Sequence, residues 1–245
     1  MKYLATTQHG SGPKCAASSW FDVPYKPLAA LQYPALLLLI ALSALSGCAG
    51  KPPAPSWQAN AHSSLDASVN AYLKGDSAIA ETEFARARRE ISGTGQPELV
   101  ARAELVRCAA HVASLDVEAC TGFDALAQDA SSAERAYAAY LTGHWQGIDA
   151  ALLPPQHRAV VEGKGALATI TDPLARLVAA GALLRAGRLS PADVKLAIET
   201  ASAQGWRRPL LAWLGVGLMR AKAGGDNAEV ARIERRIALA QPQVQ

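Results

Sequence analysis

The chain has 245 residues and a formal net charge of +3; half of its residues are hydrophobic, 18% are charged and 6% are aromatic. Its 52 Ala and 30 Leu residues, both strong helix formers, make up a third of the sequence. This composition excludes an all-β sandwich or barrel, a disordered chain, and a protein with the basic excess of a nucleic-acid binder.

The first predicted element is an export signal. No charged residue lies between Lys26 and Lys51, and residues 35–42 within this gap read ALLLLIAL. An apolar core of about eleven residues is too short for a membrane-spanning helix, which needs roughly 20. A short core that follows a positive charge and precedes small residues is typical of a secretory signal peptide. Because Val23 would begin a normal short n-region, we infer that residues 1–22 are not translated.

The residues after this core, Leu45-Ser46-Gly47-Cys48, resemble the lipobox of bacterial lipoproteins. The resemblance implies that signal peptidase II removes residues 1–47. Cys48 would then carry a diacylglycerol thioether and an acyl chain, such as palmitate, on its amino group. Two or three acyl chains anchor a protein stably, whereas one binds only marginally. In this family an Asp after the cysteine usually causes retention in the inner membrane, so Ala49 implies the periplasmic face of the outer membrane.

Residues 48–62 are predicted to form a lipidated, Pro-rich tether. They contain Pro52, Pro53 and Pro55 and show no helical period. At ~3.1 Å per residue where it is polyproline-like, such a tether holds a domain a few tens of Å from the lipid. The sequence after residue 47 carries 21 basic and 20 acidic side chains. Neither nucleic acid nor an anionic lipid surface is therefore expected as an electrostatic partner.

Residues 63–240 carry the cap, proline and glycine pattern of successive helices. Polar caps and first-turn prolines mark the starts, and glycines mark several of the ends. The predicted helices span about 63–74, 76–91, 97–114, 116–128, 131–142, 172–186, 190–203, 208–223 and 226–240. Residues 143–171 are less regular, with Pro154 and Pro155 in the middle.

One pair of these helices resembles a known repeat. Ser68, Gly75, Ala80, Phe84 and Ala87 are similar in type and spacing to the second half of a tetratricopeptide repeat. In that family small residues let paired helices approach closely, and the aromatic residue fills the gap to the next pair. The resemblance covers about thirty residues and implies that Phe84 is buried.

The predicted fold class is all-α. Helices of this length joined by short glycine-containing turns prefer antiparallel hairpins. We expect these hairpins to form either a tetratricopeptide-like or an irregular α-solenoid. Residues 63–240 would be one helical domain or two halves, 63–143 and 172–240.

A possible partner groove follows from the same repeat-like unit. Leu65, Val69 and Tyr72 share one face of the first helix, away from its small residues. Solenoid-like helix pairs present extended concave surfaces, which is how repeat proteins bind. We therefore predict that these three side chains line a groove for an extended or helical peptide.

Two cysteines in the helical domain, Cys108 and Cys120, have their midpoint at Ser114, next to the turn predicted at Leu115 and Asp116. In an oxidising periplasm such a pair is expected to form a disulfide. The alternative is that both are small buried core residues. A catalytic thiol is not expected, because the chain has no Cys-X-X-Cys sequence.

The irregular segment, residues 143–171, gathers His144, Asp149, His157 and Glu162. The sequence has no His-Glu-x-x-His motif, nucleophile elbow or phosphate loop, so no catalytic residue, metal or cofactor is predicted. Loop and surface roles account for these four side chains more simply than a metal or acid–base site.

Two tryptophans, Trp206 and Trp213, are seven residues apart on a predicted helix. We expect both in the core, and an exposed partner patch is the alternative.

The predicted function is that of a non-catalytic envelope lipoprotein. It would be held in the membrane by its N-terminal lipid and would bind other envelope proteins through its helical domain, as an interaction or assembly scaffold. The alternative is an envelope enzyme or small-ligand carrier with its site in residues 143–171. A closed pocket with converging polar groups would favour the alternative, whereas an open apolar groove would favour the scaffold.

Overall fold

This computed structural model describes residues 55–116 and 120–241, which form ten α-helices and no strand, so the predicted all-α fold class is confirmed. The signal peptide, the lipobox and residues 48–54 of the tether lie outside the described residues. The helices are α1 (Ser56–Lys74), α2 (Ser77–Ser92), α3 (Pro97–Ala113), α4 (Thr121–Asp124), α5 (Ser132–Thr142), α6 (Pro155–Val161), α7 (Pro173–Arg185), α8 (Pro191–Ala203), α9 (Arg207–Ala223) and α10 (Asn227–Ala240).

Most of the predicted helix starts are confirmed at the level of individual hydrogen bonds. A side-chain cap satisfies one of the backbone N–H groups that the first turn of a helix leaves without a partner. The Ser131 and Ser190 side chains each accept a backbone N–H within a capping box. The carboxylates of Asp76, Asp172 and Asp226 each accept an N–H from three residues further along the chain.

Helix α1 begins at Ser56, earlier than the predicted start near residue 63, so the prediction that the tether extends to residue 62 is wrong. Pro55 has φ −53° and ψ 140°, an extended conformation from which the helix starts. The segment after it contains no further proline, and Ala61 is buried in the contacts of α1. The helix therefore begins directly after the last proline of the predicted tether.

The helix predicted over residues 116–128 is also wrong, because α4 covers only Thr121–Asp124 and turns follow it. Gly122 lies inside this short helix, and glycine stabilises a helix interior by about 1 kcal/mol less than alanine does. A Cβ atom at Gly122 would lie 2.2 Å from Oε2 of Glu104, so the end of that side chain lies against the backbone of α4. Residues 117–119 lie outside the described residues.

The helices pack against their neighbours in the chain and also against helices that are distant in sequence. Neighbours α1 and α2, α7 and α8, α8 and α9, and α9 and α10 contact each other, but α3 also packs on α5 and α7, and α1 packs on α9. The main hydrophobic core takes residues from α3 through α10. Residues from 63–143 and from 172–240 therefore share one core.

Helix α3 lies at the centre of this arrangement and has the largest set of buried residues. Its backbone meets α7 at Gly181, where an added Cβ atom would lie 2.3 Å from the Val112 carbonyl oxygen. Its last residue accepts a hydrogen bond from α9, because Trp213 Nε1 donates to the Ala113 carbonyl at 3.0 Å. The indole of Trp213 is fully buried. Helix α3 is thus held by two helices that come about 70 and 100 residues later in the chain.

The close packing expected between α1 and α2 is confirmed. Ala80, Phe84, Ala87 and Ile91 form the buried face of α2, and Phe84 is 4% exposed. The hydroxyl of buried Ser68 on α1 donates to the Ala80 carbonyl at 2.8 Å, which holds the two backbones close together. Within the described residues, no helix is both long enough and apolar enough to cross a membrane.

Candidate functional site

The structure places His157 in the core rather than in a pocket. His157 is 1% exposed, and its Nδ1 lies 3.1 Å from the hydroxyl of Tyr140, which is also buried. The Trp145 ring stacks on Tyr140 at a centroid distance of 5.3 Å, and its Nε1 donates to the Tyr140 carbonyl at 2.9 Å. Burial lowers the pKa of His157 to about 4 and raises the pKa of Tyr140. Both shifts therefore belong to an aromatic core cluster that keeps the imidazole neutral.

The other polar residues of the irregular segment have separate local roles. His144 is exposed, and its Nδ1 lies 2.9 Å from the Thr142 hydroxyl. Asp149 accepts the Ala151 N–H at 2.9 Å and so begins a short 3₁₀ turn. Glu162 forms an exposed ion pair with Lys164 at 3.3 Å. Within the described residues, no three His, Cys, Asp or Glu side chains converge on a position that would hold a metal ion.

Acidification is expected to destabilise the protein through His157. Its pKa of about 4 in the folded state is below the ordinary value of 6.5, so between these values the unfolded chain binds a proton that the folded chain does not. The free energy of unfolding should therefore fall as the pH drops from about 6.5 to about 4. Denaturant titrations across this range should show a flatter pH profile for His157→Asn, whereas exposed His144→Asn should leave the profile unchanged. Parallel profiles for His157→Asn and the parent protein would contradict this assignment.

Leu65, Val69 and Tyr72 do not line an open groove, because all three are buried. Their face of α1 is the one that α3 and α9 cover. A helix at the edge of a simple hairpin leaves one face open, but α1 has neighbours on both sides. The predicted groove is therefore part of the core.

Tyr72 instead belongs to a polar junction that the sequence did not predict. Its hydroxyl donates to Asp116 Oδ2 at 3.2 Å, and His111 Nδ1 lies 2.9 Å from the same oxygen. The Tyr72 and His111 rings stack with centroids 4.0 Å apart. Burial lowers the pKa of His111 and raises that of Tyr72, although the Asp116 carboxylate favours the charged imidazole. A carboxylate in contact with Nδ1 fixes the orientation of an imidazole, as it does in many proton-transfer sites.

Two arginines tie this junction to the second half of the chain. Arg208 Nε donates to the Tyr72 carbonyl at 2.7 Å, and the guanidinium lies 4.3 Å from the centre of the Tyr72 ring. Arg185 on α7 donates to the Asp116 carbonyl. The junction therefore joins α1, α3, α7 and α9 through charge-assisted hydrogen bonds, which are stronger than neutral ones. Because Arg208 on α9 binds Tyr72 on α1, and Tyr72 binds the residue that Arg185 on α7 contacts, we assign the junction to positioning α1 on the rest of the domain.

The structure brings Cys108 and Cys120 together. Their sulfur atoms lie at bonding distance, and their Cα atoms are 4.8 Å apart, within the roughly 4.4–6.8 Å that disulfides span. Cys108 is on α3 and Cys120 directly precedes α4, so a bond between them would close the segment that contains Asp116.

We expect this bond to form within one chain and to stabilise the fold by about 2–3 kcal/mol through loop closure in the unfolded state. The Cys108→Ala/Cys120→Ala double variant should therefore unfold at a lower denaturant concentration than the oxidised parent. Adding a reductant should lower the midpoint of the parent and leave that of the double variant unchanged. Thiol labelling that maps to Cys108 and Cys120 in the folded, oxidised parent would show that the bond does not form.

The two tryptophans of the predicted helix differ in burial. Trp213 is in the core, as expected, and Trp206 is half-buried where α1 and α9 meet.

Two carboxylates are also buried, which the sequence did not indicate. Glu104 pairs with Arg88 at 2.9 Å, and burial raises its pKa; Glu134 pairs with Arg102 at 3.0 Å. Each buried charge thus has a partner, as stability requires.

An open cleft of about 580 Å³ lies where the start of α1 meets the end of α2. It falls within the roughly 300–1,000 Å³ that small-ligand sites span. The side chains and loop that line it are Trp57, Arg89, Glu90, Gly93, Thr94 and Gln96.

No protein-family model, curated protein or solved structure matches the chain. Function is therefore inferred from the chain's own residues and their geometry.

Proposed function

We propose that the protein is a lipid-anchored envelope protein whose helical domain binds other envelope proteins and has no catalytic role. The observation that carries the proposal is the Leu45–Cys48 lipobox directly after an uncharged apolar core. It is supported by the start of α1 at Ser56, only eight residues after Cys48. A folded helical domain that follows the cysteine so closely suits a protein displayed at a membrane surface.

The last helix pair offers positions at which the protein-binding part of the proposal can be tested. Met219 on α9 is 66% exposed and Leu239 on α10 is 84% exposed. Single exposed apolar side chains are common on protein surfaces, so a partner contact at these two positions needs a direct measurement. The alternative, an enzyme or carrier site in residues 143–171, has less support because His157 and Tyr140 are enclosed by the core.

The Cys48→Ala substitution should abolish lipidation, because it removes the only thiol next to the apolar core. Metabolic labelling with a palmitate analogue should give a labelled parent protein and an unlabelled variant. The Cys108→Ala/Cys120→Ala double variant, which removes the two cysteines of the helical domain, should leave the label unchanged. Equal labelling of Cys48→Ala and the parent would overturn the lipoprotein assignment.

The partner-binding part needs a separate measurement. Envelope proteins crosslinked to the anchored parent should be identified beside those crosslinked to Leu239→Glu, which places a charge on the most exposed apolar position of α10. Exposed Glu234→Gln on the same helix is the matched control. We expect a specific crosslink that Leu239→Glu loses and the control retains. A crosslinking pattern without any specific partner would contradict a scaffold role.

A further inference from the structure

We propose that the cleft around Trp57 and Arg89 binds the phosphoethanolamine headgroup of phospholipids in the membrane that carries the anchor. This inference rests on the proposed lipidation of Cys48. It identifies which end of the helical domain faces the bilayer and which lipid chemistry that end recognises.

The covalent chain limits how far this cleft can lie from the lipid. Seven residues, 49–55, separate Cys48 from the first residue of α1. At most ~3.6 Å per residue, they span about 25 Å when fully extended. Trp57 is the second residue of α1, so the cleft is the part of the described domain that follows the anchor most directly. The opposite end of α1, at Lys74, lies about 26 Å further along the helix axis.

The chemistry of the cleft suits a headgroup that carries both charges. Arg89 is exposed, and no ion pair with another described residue occupies its guanidinium, whereas Arg86 and Arg88 pair with Glu83 and Glu104. A guanidinium binds a phosphate through two parallel N–H donors. Glu90 also lines the cleft, and its carboxylate would pair with an ammonium group of a bound ligand. A phosphate and a primary ammonium two carbons apart are the two ends of phosphoethanolamine.

Trp57 adds the apolar part of the contact. It is half-buried at the edge of the cleft, in the first turn of α1. Tryptophan favours the membrane interface because its ring is largely apolar while its N–H remains hydrogen-bonded. An indole beside an Arg and a Glu therefore matches the depth of a headgroup rather than that of the hydrocarbon core.

The near-neutral charge of the domain favours this headgroup over an anionic one. The sequence after residue 47 has 21 basic and 20 acidic side chains, so it has little attraction to an anionic surface. The lipid anchor takes the place of that attraction. A short flexible tether gives an effective concentration of roughly millimolar order, so headgroups stay close to the cleft. A weak, specific contact is then sufficient.

Tryptophan fluorescence of the lipidated full-length protein in vesicles tests the proposal. The vesicles contain phosphatidylethanolamine brominated near the headgroup end of its acyl chains, or phosphatidylglycerol brominated in the same way. We expect quenching in phosphatidylethanolamine vesicles that Trp57→Phe abolishes and Trp206→Phe retains. Arg89→Gln and Glu90→Gln should each reduce it, and phosphatidylglycerol vesicles should give less quenching in the parent protein.

The outcomes separate this inference from the proposed function. If the protein carries the palmitate label but shows no Trp57-dependent quenching, the cleft does not contact the membrane, and the lipoprotein assignment stands. If quenching is equal in the two vesicles and insensitive to Glu90→Gln, the phosphoethanolamine assignment is wrong. If the protein carries no label, the proposed function is overturned, and this inference is overturned with it.

Discussion

Replacing Phe84 by alanine should lower the free energy of unfolding by about 3–5 kcal/mol. The ring is 4% exposed on the buried face of α2, and the Arg107 guanidinium lies 4.8 Å from its centre. The substitution removes apolar surface from the core and leaves a cavity that the tightly packed α1–α2 pair cannot close. Urea denaturation monitored by far-ultraviolet circular dichroism, which follows the helical signal, measures this loss of stability.

Two further substitutions on α2 make this result specific. Ile79 is 52% exposed, so Ile79→Ala removes a large apolar side chain from the surface and should change stability by less than about 0.5 kcal/mol. Ala80→Leu adds volume where Ser68 holds α1 close to α2 and should destabilise through overpacking, by about 1–3 kcal/mol. If Phe84→Ala unfolds at the same urea concentration as the parent, its ring does not contribute to the core.

Gly181→Ala should destabilise the protein by about 3 kcal/mol or more, because an added Cβ atom would lie 2.3 Å from the Val112 carbonyl oxygen on α3. The atom that it meets is backbone, so α3 and α7 must move apart, and the surrounding core must move with them. The better helix propensity of alanine offsets only about 1 kcal/mol of this loss. Thermal unfolding should show a lower midpoint than that of the parent.

The same substitution at Gly215 should have the opposite sign. Gly215 lies within α9, and a Cβ atom there would meet nothing within 4 Å. Gly215→Ala should therefore gain up to about 1 kcal/mol from helix propensity alone. A similar response of the two glycines would show that α3 and α7 do not approach each other as closely as the Gly181–Val112 contact requires.

The helix boundaries were largely predictable because local interactions determine them. Asp76, Ser131 and Asp172 each cap a helix through an N–H only three residues away, so a short stretch of sequence contains the whole interaction. The helix predicted from Asp116 is much shorter in the structure, where α4 covers only Thr121–Asp124 and contains Gly122. Glycine disfavours helix, and the prediction did not weigh this local signal.

The candidate site was less predictable for the same physical reason. The midpoint of Cys108 and Cys120 indicated a turn, and the structure brings the two residues together. The sequence predicted an open face at Leu65 and Val69 because the neighbouring helix α2 was expected to pack on the opposite face of α1. In the structure α3 and α9 also pack against α1. The Tyr72–Asp116 hydrogen bond joins positions 44 residues apart, and the Arg208–Tyr72 bond joins positions 136 apart. Such pairings follow from the tertiary fold alone.

The hydrogen bond from Trp213 to the Ala113 carbonyl has a consequence for how the chain folds and how it can evolve. It closes a loop of 100 residues, and contacts of such high sequence separation slow folding relative to a helical array in which each pair meets only its neighbours. A chain that ended before α9 would leave the Ala113 carbonyl without this donor and would uncover the face of α1 that contains Tyr72. Removing a helix pair from the middle of this domain would therefore disturb contacts between its two halves, whereas in a repeat array it disturbs only contacts between neighbours.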